Sequence, residues 1–403
     1  MLDQETTEIR MAAHGTLTLN PAKNYSSRTI RLVAVCFLLS GATGLIYEVL
    51  WARMLGLVFG VTTLAISAVL AAFMGGLALG SALAARFAPR IRRAVRVYAL
   101  IEIAIGVYAL AVPLLFRGVD RVWAGAWQSL HPGFYGSALS RFALASLVLI
   151  IPTTLMGATL PVLARAVTTS AQRTISVTSL YTLNLVGAIA GTIAAGFFLL
   201  PGLGVSLTIW TAALTNLLIG IVALLLDSKE RSEATFEAKP REGSLEQAAS
   251  EPRATSTGFW LFCAVISGFV TIGMQVVWSR MLAMIIGSST YAFSIVLALF
   301  LTGLSLGAYL ISRRRNPEPV SLRRMVFVVE LLTAASLFLS IRVANAAPAL
   351  LVSLGFRLGI NSWTGLMALQ ILVAALLILI PAVLMGMVMP LVLKWAEHSG
   401  PAP

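Results

Sequence analysis

Ten stretches of this chain each run for about 20 residues or more with almost no charge, enough to cross the hydrocarbon core of a bilayer as a helix. They cover 29–55, 62–86, 94–116, 137–167, 175–199, 205–226, 257–282, 289–312, 322–345 and 363–395. In lipid every backbone polar group must be satisfied within the protein, and such runs meet that demand only as helices. The pattern therefore predicts an all-α polytopic membrane protein with about ten transmembrane helices. Composition agrees: 58% of residues are hydrophobic and 11% charged, whereas a soluble chain needs about a quarter charged to build a wet surface. A soluble enzyme, a nucleic-acid binder and a disordered protein are excluded as descriptions of the whole chain.

The net charge of +13 resides mostly in short loops. Arg86, Arg90, Arg92, Arg93 and Arg96 follow the second span, Arg165 and Arg173 the fourth, and Arg313, Arg314, Arg315, Arg323 and Arg324 the eighth. The alternate loops are poorer in basic residues, with Arg117, Arg121 and Arg141 a mild exception. The positive-inside rule then puts both termini in the cytoplasm, with a bacterial inner membrane the expected location. Residues 1–28 lack the basic-then-apolar order of a signal peptide and read as a flexible cytoplasmic tail. Residues 227–256, rich in Glu, Lys, Ser and Ala, read as a disordered cytoplasmic linker. That divides the chain into a first membrane unit at 29–226, a second at 257–396, and a tail at 397–403. The stretches 117–135 and 346–361 read as interfacial connections, the first with Trp123 and Trp127 as anchors.

The two membrane units repeat each other. Adding 227 carries Cys36 onto Cys263, Ser40-Gly41 onto Ser267-Gly268, Trp51 onto Trp278, and Arg53-Met54-Leu55 onto Arg280-Met281-Leu282. It also carries Gly60, Phe73, Gly76, Gly80 and Arg86 onto Gly287, Phe300, Gly303, Gly307 and Arg313. An offset of 228 matches Glu102 with Glu330, and 229 matches Pro152, Met156-Gly157 and Pro161 with Pro381, Met385-Gly386 and Pro390. Six spans separate equivalent helices, so the repeats have one orientation, as do the two halves of a major-facilitator transporter. The first repeat holds six spans and the second four.

Candidate site residues follow from polar groups inside the spans, where they are costly. Tyr47, Glu48, Trp51 and Arg53, with their counterparts Gln275, Trp278 and Arg280, form the sharpest element. Glu48 and Arg53 are five residues apart, about 500° around a regular helix, so they do not share a face. One reading makes Glu48 a cation-recognising carboxylate near the pseudo-symmetry axis. The other makes this a structural pair at the membrane boundary, with Arg53 and Arg280 snorkelling. Glu102 and Glu330 admit the same two readings, the structural one being capping or pairing with the Arg-rich loop. Tyr181 and Asn184 add polar groups to the fifth span. Pro152, Pro161, Pro381 and Pro390 predict kinks, with gating as one reading of them. Gly76/Gly80, Gly303/Gly307 and Gly187/Gly191 are small-xxx-small pairs that predict close helix packing. No metal-ligand cluster, cofactor motif or catalytic residue is legible.

These same residues carry a family resemblance. Ser40-Gly41, Tyr47-Glu48, Trp51, Arg53, the Gly-rich second span ending in Arg86, Pro152 to Pro161, and Tyr181, Asn184, Gly187, Gly191, Gly196-Phe197 and Leu200-Pro201 form an ordered set. It resembles the membrane part of fused major-facilitator/spermidine-synthase-like proteins, over nearly the whole chain apart from tail and linker. The resemblance implies a cytoplasmic, polyamine aminopropyltransferase-like domain after the membrane part, using decarboxylated S-adenosylmethionine and putrescine. This chain ends at Pro403, just after the tenth span, and no part of it reads as that domain. The leading expectation is a transporter or presenter of a small cationic metabolite such as a polyamine, with the lipid bilayer as its surroundings and no nucleic-acid partner. The alternatives are a membrane anchor for a separate aminopropyltransferase- or methyltransferase-like enzyme, and a structural or assembly subunit of a membrane complex.

Overall fold

A computed structural model describes residues 25–59, 63–130, 133–168, 175–234, 257–286, 290–314 and 319–399. The tail at 1–24, most of the linker, Gly60, Gly287, Arg173, Arg315 and residues 400–403 lie outside the described residues. Those described are almost wholly helical, with no strand among them. The helices are α1 Ser27–Phe59, α2 Thr63–Phe87, α3 Ala94–Leu130, α4 Phe134–Thr168, α5 Val177–Ile193, α6 Leu200–Ala234, α7 Thr257–Ile286, α8 Thr290–Ser312, α9 Pro319–Arg357 and α10 Trp363–Ser399. Ser and Thr hydroxyls inside them return to their own helix, as Thr153 does to Leu149 O, Thr192 to Ala188 O and Thr333 to Val329 O, which spares the lipid an unpaired donor.

Nine stretches among the described residues are long and apolar enough to cross a membrane. One of them, Ser179–Lys229, runs for 51 residues, about 77 Å of helix, more than twice the hydrocarbon thickness. It reverses partway. Asn184 lies against Phe37 and Gly41 while Gly191 lies against Ala42, so α5 runs parallel to α1. Asn216 meets Tyr47 and Asp227 meets Tyr25, so α6 runs antiparallel to α1. The turn is at Gly204, whose φ of 71° belongs to the left-handed region that glycine adopts without penalty. Its carbonyl accepts from Thr208 Oγ1 at 2.6 Å. Ahead of it Ala194–Leu199 is π-helical. This fifth stretch is thus two spans joined with no loop.

Three sequence readings are corrected. The stretches 117–135 and 346–361 are in the main not separate interfacial connections: α3 runs unbroken to Leu130 and α9 to Arg357. Residues 227–234 are not linker but the last two turns of α6. The apolar periodicity fades in all three places because those turns extend past the greasiest part of each span, and the backbone bonds continue without it.

The basic loops share one end of the bundle. Tyr25 there donates to Asp227 at 3.0 Å and accepts from Val95 N–H at 3.3 Å. Arg165 donates to Ile91 O at 3.1 Å. Lys394 donates to Arg314 O at 2.5 Å, and Trp260 stacks on Trp395 at 5.3 Å. At the opposite end Arg53 donates to Thr290 Oγ1 at 2.7 Å, joining the end of α1 to the start of α8.

Helices approach through glycine. A Cβ at Gly76 would meet Thr153, one at Gly80 the Thr154 carbonyl, and one at Gly157 the Leu77 carbonyl. The same three contacts recur between α8 and α10 at the sequence offsets, as Gly303 with Ala382, Gly307 with Val383, and Gly386 with Leu304. Gly187 and Gly191 lie against the backbone of Leu38 and Ala42 in the same way. All six small-xxx-small glycines named from the sequence are packing positions.

Candidate functional site

Besides Asp227 at the end of α6, two buried carboxylates lie within the spans of the first half, and their surroundings differ. Glu102 is fully buried at the meeting of α1, α3 and α6. Ser40 Oγ donates to its Oε1 at 2.5 Å and Asn216 Nδ2 to its Oε2 at 2.6 Å. Asn216 Oδ1 in turn accepts from Tyr47 at 3.3 Å. Glu102 is therefore tied between helices rather than to the Arg-rich loop. A carboxylate with donors on both oxygens holds three spans in register, the arrangement a buried acid needs to be tolerated.

Glu48, next to Tyr47, is 2% exposed, and its Oε1 has no hydrogen-bond partner among the described residues. Trp51, one turn on, is buried with its Nε1 equally unpaired. Its ring stacks on Tyr47 at 5.2 Å and tilts against Phe73 at 6.2 Å. α1 is continuous through Ser40 to Gly44, so no break brings Arg53 round to Glu48. Arg53 is exposed and engaged with Thr290.

That link sets the depth of a third orphan group. From Arg53 back to Glu48 is about 7.5 Å along α1, and from Thr290 on to Ser294 about 6 Å along α8. Ser294 is fully buried and its Oγ also lacks a partner among the described residues. It presses on Gly196, in the middle of the π-helical segment, where a Cβ would collide with the serine side chain. Unpaired polar atoms at Glu48 and Trp51 on α1 and at Ser294 on α8 therefore lie at a similar depth in the bundle. π-Helical turns are rare and recur at functional sites.

The other candidates divide between the halves. Gln275 and Trp278 are buried, Trp278 with its edge towards Phe300 at 6.0 Å, repeating the Trp51–Phe73 pair. Arg280 is exposed. Asn184 donates to Phe37 O at 3.2 Å, a bond between α5 and α1, and Tyr181 is half-buried one turn before it. Glu330 is half-buried, within reach of the Ser267 hydroxyl. Pro152 and Pro161 lie within α4, and Pro381 and Pro390 within α10, both helices continuing past them. Sequence reasoning missed Asn216, Ser294 and Thr290. Asn216 was visible as the lone amide in the sixth span; Ser294 and Thr290 carried no signal, since serine and threonine are common in spanning helices. No protein-family model matches the sequence, and no curated protein matches it either.

Proposed function

We propose that this chain is a major-facilitator-like transporter of two same-orientation repeats, carrying a small cationic metabolite with Glu48 as the residue that faces it. The carrying observation is the buried, unpartnered Glu48 Oε1 inside α1. An acid inside a membrane protein is expensive to keep, and an orphaned acceptor more so. A carboxylate only accepts hydrogen bonds, whereas an alkylammonium offers up to three donors and a compensating charge. The buried Trp51 one turn away adds an aromatic ring of the kind ammonium groups favour. The recurring glycine contacts and Trp–Phe pairs support the two-repeat reading, and the resemblance of the motif set to spermidine-synthase-like membrane parts supports a polyamine. By the positive-inside rule the basic end faces the cytoplasm of a bacterial inner membrane.

Purified protein in liposomes, given labelled putrescine or spermidine, tests this. Saturable uptake is expected from the wild type. A loss of at least tenfold is expected in Glu48→Gln, provided that variant elutes and unfolds like the wild type. Undiminished uptake by folded Glu48→Gln overturns the role of Glu48; no saturable uptake by the wild type overturns the polyamine.

A further inference from the structure

The first half covers its own acidic residue and the second does not. Over α1 and α3, the Asn184 carbonyl of α5 closes on Gly41, and Asn216 of α6 donates to Glu102. α6 also packs through Ala213 on Gly106, and through Gly220 on Ala99 and Ile103. Gly41 and Glu102 are buried as a result. On α7 and α9 Ser267 and Glu330 stand at the positions equivalent to Ser40 and Glu102. Here, however, Gly268 is exposed, with nothing within 4 Å of an added Cβ. Phe327 and Leu331, the counterparts of Ala99 and Ile103, are 69% and 60% exposed. Ala334, the counterpart of Gly106, is exposed too. Buried residues make up 17% of the most apolar window of α7 and 22% of that of α9, against 56% and 39% for their counterparts α1 and α3.

Acyl chains cover phenylalanine and leucine at no cost, but they offer no donor to the Glu330 carboxyl and leave no reason for a glycine at the contact. We infer that α7 and α9 form a docking surface for two antiparallel transmembrane helices of a separate membrane protein. One helix lays its backbone against Gly268, and the other brings an amide or hydroxyl donor to Glu330. The inference stands apart from what the protein transports.

A photoreactive benzoylphenylalanine at Phe327, in the full chain in its native membranes, tests it, with the same probe at Leu114 of α3 as the control. A discrete protein adduct is expected from Phe327 and not from Leu114. Its crosslinked peptide should belong to a transmembrane segment with an Asn, Gln, Ser or Thr within a turn. Gly268→Leu, which meets open space and should fold normally, and Glu330→Leu should each cut the adduct at least fivefold. Adducts with lipid alone, with a second copy of this chain, with a later segment of the same chain, or unaffected by either substitution overturn the inference.

Discussion

Asn216 offers the sharpest test of the packing. It is 1% exposed and joins three spans, donating to Glu102 on α3 and accepting from Tyr47 on α1. Replacing it with leucine keeps the volume and removes both bonds, leaving Glu102 Oε2 and the Tyr47 hydroxyl without those partners. A hydrogen bond to an ionised group is worth about 1.5–3 kcal/mol in water-soluble proteins. Bonds between transmembrane helices average only about 0.6 kcal/mol, with a maximum near 1.7, because the unfolded chain in the bilayer finds partners too. The short bond to the carboxyl, at 2.6 Å, belongs at the top of that range, and the longer Tyr47 bond, at 3.3 Å, near its mean. Together they give about 2 kcal/mol, roughly a 30-fold change in the unfolding constant. The assay is reversible unfolding in mixed micelles by titration with SDS. Thr215→Val is the control, since that hydroxyl bonds to Thr211 O of its own helix. Glu102→Leu completes a double-mutant cycle, in which the double variant should be at least about 1 kcal/mol more stable than the sum of the singles predicts. An Asn216→Leu protein within about 0.5 kcal/mol of wild type, or strict additivity, refutes the reasoning.

Gly157→Val and Gly386→Val should each abolish folded, monodisperse protein, because their Cβ atoms would run into the Leu77 and Leu304 backbone. Gly44→Ala and Gly118→Ala, which meet open space, should express as wild type; equal yields in all four would refute the packing role. Tyr25 is held above the usual phenol range, first by burial and then by the charge of Asp227, with Arg93 opposing. Below about pH 10 both folded and unfolded chains keep this proton; above it the unfolded chain releases it first, so stability falls as pH rises. Tyr25→Phe should cost about 1 kcal/mol at neutral pH and then lose less than wild type on going to pH of about 11. Parallel melting curves of the two proteins across that range would refute it.

Much of the fold was legible because a bilayer imposes its rules one helix at a time. A run such as 64–85 has few structures open to it in lipid, so the spans follow from hydropathy alone. The recurrence of Gly76 and Gly80 at Gly303 and Gly307 marked close helix contacts, since only glycine lets backbones approach so near, whereas Gly157 and Gly386 read only as part of the repeat and are shown by the structure to lie on Leu77 and Leu304. The hairpin at Gly204 was less plain: Pro201 stands just ahead of it, yet the chain stays helical through that proline and reverses three residues later. Hydropathy locates a gap between spans only to within a few residues.

The site was half legible. Glu48 and Glu102 looked alike on paper, two acids in apolar runs, and no periodicity argument separates them. Their roles diverge through partners 62 and 114 residues from Glu102, Ser40 and Asn216, while nothing comparable reaches Oε1 of Glu48. By itself, then, the sequence determined the solvent, the helices, the end that carries the basic loops and the glycines where helices touch, because each depends on residues close together or on a repeat visible in the text. Only the tertiary structure decided which acid is tied down and which is left open, and that the surface around Glu330 lacks the cover its counterpart has. Hydrogen-bond satisfaction is a property of atoms brought together from distant helices, and no local pattern encodes it.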